Sequence, residues 1–228
     1  LAEQLRSDTP DIALDVHRRA AHWHYEQGNY EEAVHHALEC GDPELAADAL
    51  NLWASHLVSR AHLMTVERWY SRLPLEVLAK RVDLIVKIAY ALIFLRRYGE
   101  LRKIEPILEL GADHLPSASG GHCSIALAMA AMSRNEVAKG FDLIGRVDVR
   151  NRDASGFGAF EYGAAANLLA YRAITCGDFE RGRELIATAR SYNERAQDTF
   201  SGGYMVAIEG FGLVLRGQVD ESLNRFRS

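Results

Sequence analysis

Two short stretches decide the fold: Gly28-Asn29-Tyr30-Glu31-Glu32-Ala33 and Gly177-Asp178-Phe179-Glu180-Arg181-Gly182. Each has Gly first, an aromatic two residues later and a small residue three beyond the aromatic. Gly tolerates the left-handed conformation that closes a helix. The aromatic opens the next helix, and the small residue marks where the paired helices touch. Weaker versions of the turn fall at Gly99, Gly217, Asn135 and, without Gly, near Ala61. They recur at intervals of roughly 34 to 42 residues, a period typical of stacked helical hairpins. A single hairpin of this size cannot bury its apolar stripe, so neighbours must stack.

The expected helix pairs span 14–27 with 31–40, 44–60 with 63–73, 82–97 with 100–110, 122–133 with 136–147, and 159–176 with 180–196. A sixth starts near Gly203 and turns at Gly217. Gly41-Asp42-Pro43 and Pro74 are stop signals. Two polar, Gly-bearing linkers are expected at 111–121 and 148–158. Composition agrees: hydrophobic residues make up 48% and charged residues 25%, with only 5 prolines, so the chain can bury a core and favours helix.

A net charge of −5 and a pI near 6.0 weigh against this segment gripping a nucleic-acid backbone by itself. Cys40, Cys123 and Cys176 are too few and too scattered for a disulfide framework and read as small buried residues in a reducing compartment. The first ten residues carry no signal-peptide pattern, and the apolar run 84–95 is too short to span a bilayer and contains Lys87. The expectation is a cytoplasmic protein without membrane partners. Leu1 in place of a start methionine, and an end at Ser228 within a helical pattern, lead to the further expectation of a piece of something larger.

The turn signature resembles the tetratricopeptide repeat, which implies an all-α solenoid of about six helix pairs wound as a right-handed superhelix. A second resemblance rests on His17-Arg18-Arg19-Ala20-Ala21-His22-Trp23, Glu32-Ala33-Val34-His35-His36-Ala37-Leu38, Gly41-Asp42, Ala46-Ala47, Trp69, Leu73-Pro74 and the apolar helix 84–95. Together these resemble the segment after the ATPase and winged-helix modules of large MalT-like LuxR-family transcriptional regulators. That implies residues 1–76 as the helical segment following those modules, and 77–228 as the sensor superhelix. It also implies a small-molecule or protein effector, self-association, ATP on an upstream module and DNA contact through a downstream helix-turn-helix domain. This chain has no Gly-x-x-x-x-Gly-Lys-Ser/Thr loop, so no cofactor is assigned to it.

Five of the 9 histidines lie between His17 and His36, yet neither His22 with His24 nor His35 with His36 shares a helix face. No metal site is expected. Glu31-Glu32, Asp178 and Glu180 sit at helix starts, where carboxylates favour the dipole, so no catalytic group is expected and the chain is not read as an enzyme. The candidate effector-binding residues lie on the first helices of the pairs. Lys87, Tyr90, Phe94 and Arg97 recur at three- and four-residue intervals. Phe160, Asn167 and Tyr171 share a face of the fifth, and Tyr204 lies on the sixth with Phe211. Aromatics with a few polar groups suit a sugar-like or peptide ligand on a concave face. The competing reading makes the same aromatics filler between stacked helices. Arg150, Arg152 and Asp153 in the second linker can be read as a lid or as an ordinary connection. A protein–protein adaptor is the alternative function.

Overall fold

A computed structural model describes residues 10–114, 117–150, 153–196 and 200–227. Among the described residues every regular element is a helix. The helices are α1 (Pro10–Glu26), α2 (Tyr30–Glu39), α3 (Pro43–Ser59), α4 (Leu63–Tyr70), α5 (Leu75–Leu78), α6 (Val82–Phe94) and α7 (Tyr98–His114). They continue with α8 (Ser117–Ser133), α9 (Val137–Ile144), α10 (Gly156–Thr175), α11 (Phe179–Ala196), α12 (Phe200–Leu215) and α13 (Val219–Arg227). The all-α helical-hairpin class follows. No described helix is long and apolar enough to cross a membrane.

The turns share one hydrogen-bond pattern. Gly28 donates to the Tyr25 carbonyl and Asn29 to that of His24; Gly177 and Asp178 repeat this with Ile174 and Ala173, and Gly217 and Gln218 with Val214 and Leu213. Asn135 and Glu136 do the same with Met132 and Ala131. This is the Schellman closure, with the turn residue left-handed, φ 73° at Gly28 and 63° at Asn135. The third turn departs from the sequence expectation. Its left-handed residue is Arg96, φ 56°, while Gly99 lies inside α7.

Five residues after the turn the small side chain sits where the helices meet. Ala33 is fully buried, and Ser222, buried, donates its hydroxyl to the Gly210 carbonyl at 2.9 Å. At Gly182 there is no room even for a methyl: a Cβ there would lie 2.6 Å from Ile174 Cγ1.

The chain divides into two compact units at Leu95–Arg96, with Ser59–Ala61 grouped with the second. The 1–76/77–228 division implied by the family resemblance is a different boundary. In the first unit α1 packs on α2, and α4 and α5 pack on α6. Helix α6 is apolar on nearly all sides and buried accordingly, from Leu84 to Ile93 with only Lys87 half-exposed. Ion pairs and hydrogen bonds join residues one repeat apart: Arg68 to Glu31, Arg72 to Glu39, Lys80 to Glu44, Arg81 to Asp48 and Lys87 to Asn51, separations of 33 to 37. In the second unit α7 packs on α8, α8 on α9, α10 on α8, α9, α11 and α12, and α12 on α11 and α13.

Three expectations are corrected. The first linker is largely helix: α7 runs through Gly111 to His114 and α8 begins at Ser117, while Pro116 lies outside the described residues. Good helix formers on either side outweigh the glycines locally. The second linker ends earlier than expected, because α10 starts at Gly156. Cys40 and Cys123 are buried, but Cys176 is exposed at the C-cap of α10.

The small-residue contacts predict unequal responses to one extra methyl. At Gly140 a Cβ would meet the flexible side chain of Met132 at 2.7 Å, which can swing away. Gly140→Ala is expected to be near neutral, since helix propensity returns about 1 kcal/mol. At Gly182 the neighbour is β-branched Ile174, itself against Gly212, so it cannot retreat. Gly182→Ala is expected to cost about 1–3 kcal/mol in thermal unfolding, and to cost less when it is introduced into an Ile174→Ala background than into the wild-type chain.

Candidate functional site

The eight residues singled out from sequence are divided between the two units, Lys87, Tyr90 and Phe94 in the first and Arg97, Phe160, Asn167, Tyr171 and Tyr204 in the second. Lys87 donates to the Asn51 carbonyl at 2.8 Å and to its side-chain oxygen at 2.7 Å. Tyr90 is fully buried, its ring 6.1 Å from that of half-buried Phe94. Arg97 lies beyond the end of α6, in the second unit, so the expected four-residue stripe stops at Phe94. Phe160 is fully buried and stacks on Phe157 at 5.3 Å. Asn167, buried, donates to the Ser201 carbonyl at 3.4 Å. Tyr171 bridges helices, 6.2 Å from Phe141 and 6.0 Å from Phe211, and Tyr204 stands 50% exposed on α12. Tyr90 and Phe160 therefore fill the interior. The described part of the second linker is tied down: Arg150 binds Asp148, and Val149 accepts a 2.6 Å hydrogen bond from Tyr192. Arg152 lies outside the described residues.

Three features were not visible in the sequence. The first is a cleft of about 630 Å³ in the second unit, between α11 and the α12–α13 turn. Ile174, Phe179, Ile186 and Leu213 give it apolar walls, and Arg183, Arg216, Arg225, Glu209 and Glu221 its charge. Glu209 is shared by Arg225 at 2.7 Å and Arg190 at 3.4 Å, and Arg183 pairs with Glu180. Glu221 accepts from the Gln218 amide at 2.9 Å. Arg216 lies over the Phe179 ring at 5.9 Å and makes no ion pair among the described residues. The volume suits a small ligand.

The second is a buried pair. Glu161, 3% exposed, meets His122 Nδ1 at 2.6 Å and so links α10 to α8. Beside it Tyr162 stacks on Tyr192, and Asn193 accepts from the Ser201 hydroxyl. This buried polar cluster ties α8, α10, α11 and α12 together, although the Asn193 side-chain nitrogen has no hydrogen-bond partner among the described residues.

The third lies in the first unit, where the histidine-rich segment gathers. His17 Nδ1 and His36 Nδ1 are 2.8 Å apart, so one must donate and the other accept. The His24 ring stacks on His36 at 5.5 Å and the His35 ring lies at 5.2 Å. The separation between histidines in the sequence hid this, because the α1–α2 hairpin brings them together across the turn. Among the described residues no group of three or more metal-ligating side chains converges. Burial first, then the neighbouring His17, His35 and His24, lower the His36 pKa below its ordinary 6.5, while Glu32 opposes them.

The chain is 28% identical over 222 residues to proteins named serine/threonine-protein kinase PknK, from two strains of Mycobacterium tuberculosis and from Mycobacterium bovis. The match covers 94% of this chain but 20% of each relative, so the chain spans about a fifth of their length. No family model matches the sequence. No solved structure matches it.

The His36 shift sets a sign for pH dependence. Its folded pKa is lowered, so below pH 6.5 the unfolded chain takes up protons that the folded chain refuses. The contribution of neutral His36 is full above pH 6.5 and lost as pH falls through the folded value. Thermal unfolding followed from pH 7.5 to about 5 should show a falling Tm, less steep in His36→Gln. An equal slope in the variant would remove His36 as the source.

Proposed function

We propose that this chain is a non-catalytic sensing and scaffolding segment of a large multidomain signalling protein, with its effector seat in the cleft between α11 and the α12–α13 turn. One observation carries the reading: nearly the whole chain, 94%, aligns with a fifth of a much larger protein named as a kinase, and this chain folds as stacked helical hairpins. Phosphoryl-transfer folds hold nucleotide with strand-borne and glycine-loop residues. Among the described residues there is no strand. A helical segment of such a protein supports regulation rather than transfer.

Within that class, the blocks from His17 to Pro74 favour the MalT-like regulator organisation, with nucleotide-binding and DNA-binding modules outside this chain. Effector binding would bias self-association by preferring one of two states. Cytoplasmic placement and the absence of any cofactor in this segment belong to the same proposal.

A second reading, a protein–protein adaptor, has its own observation. Val214, Val219, Leu223 and Phe226 on the last hairpin are each about half exposed and form apolar surface.

The two readings separate in one experiment on the full chain. A thermal-shift screen of metabolites and sugars, followed by sedimentation velocity on each hit, should yield a ligand that raises Tm and changes the association state. Stabilisation by no small molecule, together with an unchanged sedimentation coefficient, would reject the sensor and leave the adaptor.

A further inference from the structure

We infer that the cleft beside Arg216 is a carboxylate seat, taking a small monocarboxylic acid with a flat apolar body. The inference rests on the sensor reading and narrows its ligand.

It comes from comparing two repeats of the same unit. Counted from the left-handed turn residue, Arg134 precedes Asn135 as Arg216 precedes Gly217. At the earlier turn the arginine is clamped by two carboxylates. Arg134 Nε donates to Glu136 at 2.8 Å, and its terminal nitrogen pairs with Glu105 of α7. Arg134 is only 10% exposed there and holds the Glu136 carboxyl below its ordinary pKa by hydrogen bonding. Tyr98, two residues after Arg96, closes the same corner by donating to the Ser133 carbonyl at 2.9 Å.

At the later turn the arginine is kept but its partners are not. The position matching Glu136 is Gln218, whose side-chain nitrogen donates to Glu221 and whose side-chain oxygen is buried without a hydrogen-bond partner among the described residues. The position matching Glu105, nine residues after the preceding turn, is Ile186. Tyr98 is matched by Phe179, which has no hydroxyl to give. Arg216, Gln218, Ile186 and Phe179 all line the cleft, which therefore opens where the internal clamp is missing.

The chemistry of the missing groups defines the ligand. A guanidinium recognises a two-oxygen anion through paired N–H donors, and the partner lost at this corner is a carboxylate. Arg183, Arg225 and Glu209 are already committed to protein ion pairs and Glu221 is held by the Gln218 amide, so Arg216, in no ion pair among the described residues, supplies the cation. The apolar body would lie on Phe179, Ile186, Ile174 and Leu213. Such a ligand touches both α11 and the α12–α13 turn, tightening one hairpin against the next.

The test uses the full chain with phenylacetate as probe and phenylacetamide as its uncharged isostere. In two-dimensional NMR titrations, phenylacetate should shift the amides of Phe179, Leu213 and Arg216 and bind about tenfold more tightly than the amide. Arg216→Gln, at an exposed position, should remove that preference while leaving Tm within about 1 °C. Gln218→Glu, supplying an internal carboxylate, should weaken phenylacetate binding. Equal binding of acid and amide, no binding of phenylacetate at about 10 mM, or an acid preference that survives Arg216→Gln would each overturn the carboxylate seat. The sensor reading would outlive that failure if the metabolite screen still gave a stabilising ligand that changes the association state.

Discussion

The contact between the two helices of a hairpin, at the small residue five positions past the turns at Asn135, Gly177 and Gly217, is the constraint on which the last three hairpins of the second unit rest. The Schellman closure fixes the direction in which the chain leaves each helix. That direction brings the two axes close enough that Gly140, Gly182 and Ser222 occupy these three crossings. At Gly182 even a methyl is excluded, because Ile174 fills the space and is held by Gly212 of the following hairpin. One residue thus links intra-hairpin closure to inter-hairpin stacking. Tyr171, wedged between Phe141 and Phe211, makes the corresponding link on the same helix.

Because the backbone solution repeats, the same corner is presented several times with different side chains. One corner is filled, where Arg134 is clamped by Glu105 and Glu136. A corner that keeps the arginine but loses both carboxylates is left with charge and volume and no internal occupant. Function in a repeat fold can arise this way without new architecture, through local failure of a packing solution that succeeds elsewhere.

The legible part of the sequence was what the backbone dictates locally. Gly28 and Gly177 announce their turns because few residues reach positive φ cheaply. Arg96 gives no such signal, and Gly99 three residues on attracted the assignment instead; the helical context imposes the strain on Arg96. The glycines near 111–121 suggested a break, whereas α7 and α8 nearly abut. Aromatic spacing was ambiguous from the start. Tyr90 and Phe160 have the periodicity of a ligand-facing stripe, but α6 and α10 are enclosed on so many sides that this face is interior too. Nothing local marked Arg216, since its meaning lies in what Ile186 and Gln218 fail to provide.

Energetics in stacked hairpins are close to a sum of neighbour terms. A ligand in the Arg216 cleft touches α11 and the α12–α13 turn, so its first effect is on that one interface. The histidine cluster acts across the α1–α2 crossing, inside a different compact unit. Protonation at His36 and occupancy at Arg216 are then distinct perturbations, each weakening or tightening its own junction. For either to influence self-association, the junction it controls must differ between the associated and free states. An effector that binds both states equally would fill the cleft and change nothing, however tight its binding. The carboxylate seat has the form such selectivity needs, because its two walls belong to different hairpins and their separation determines whether Arg216 and Phe179 engage one ligand together.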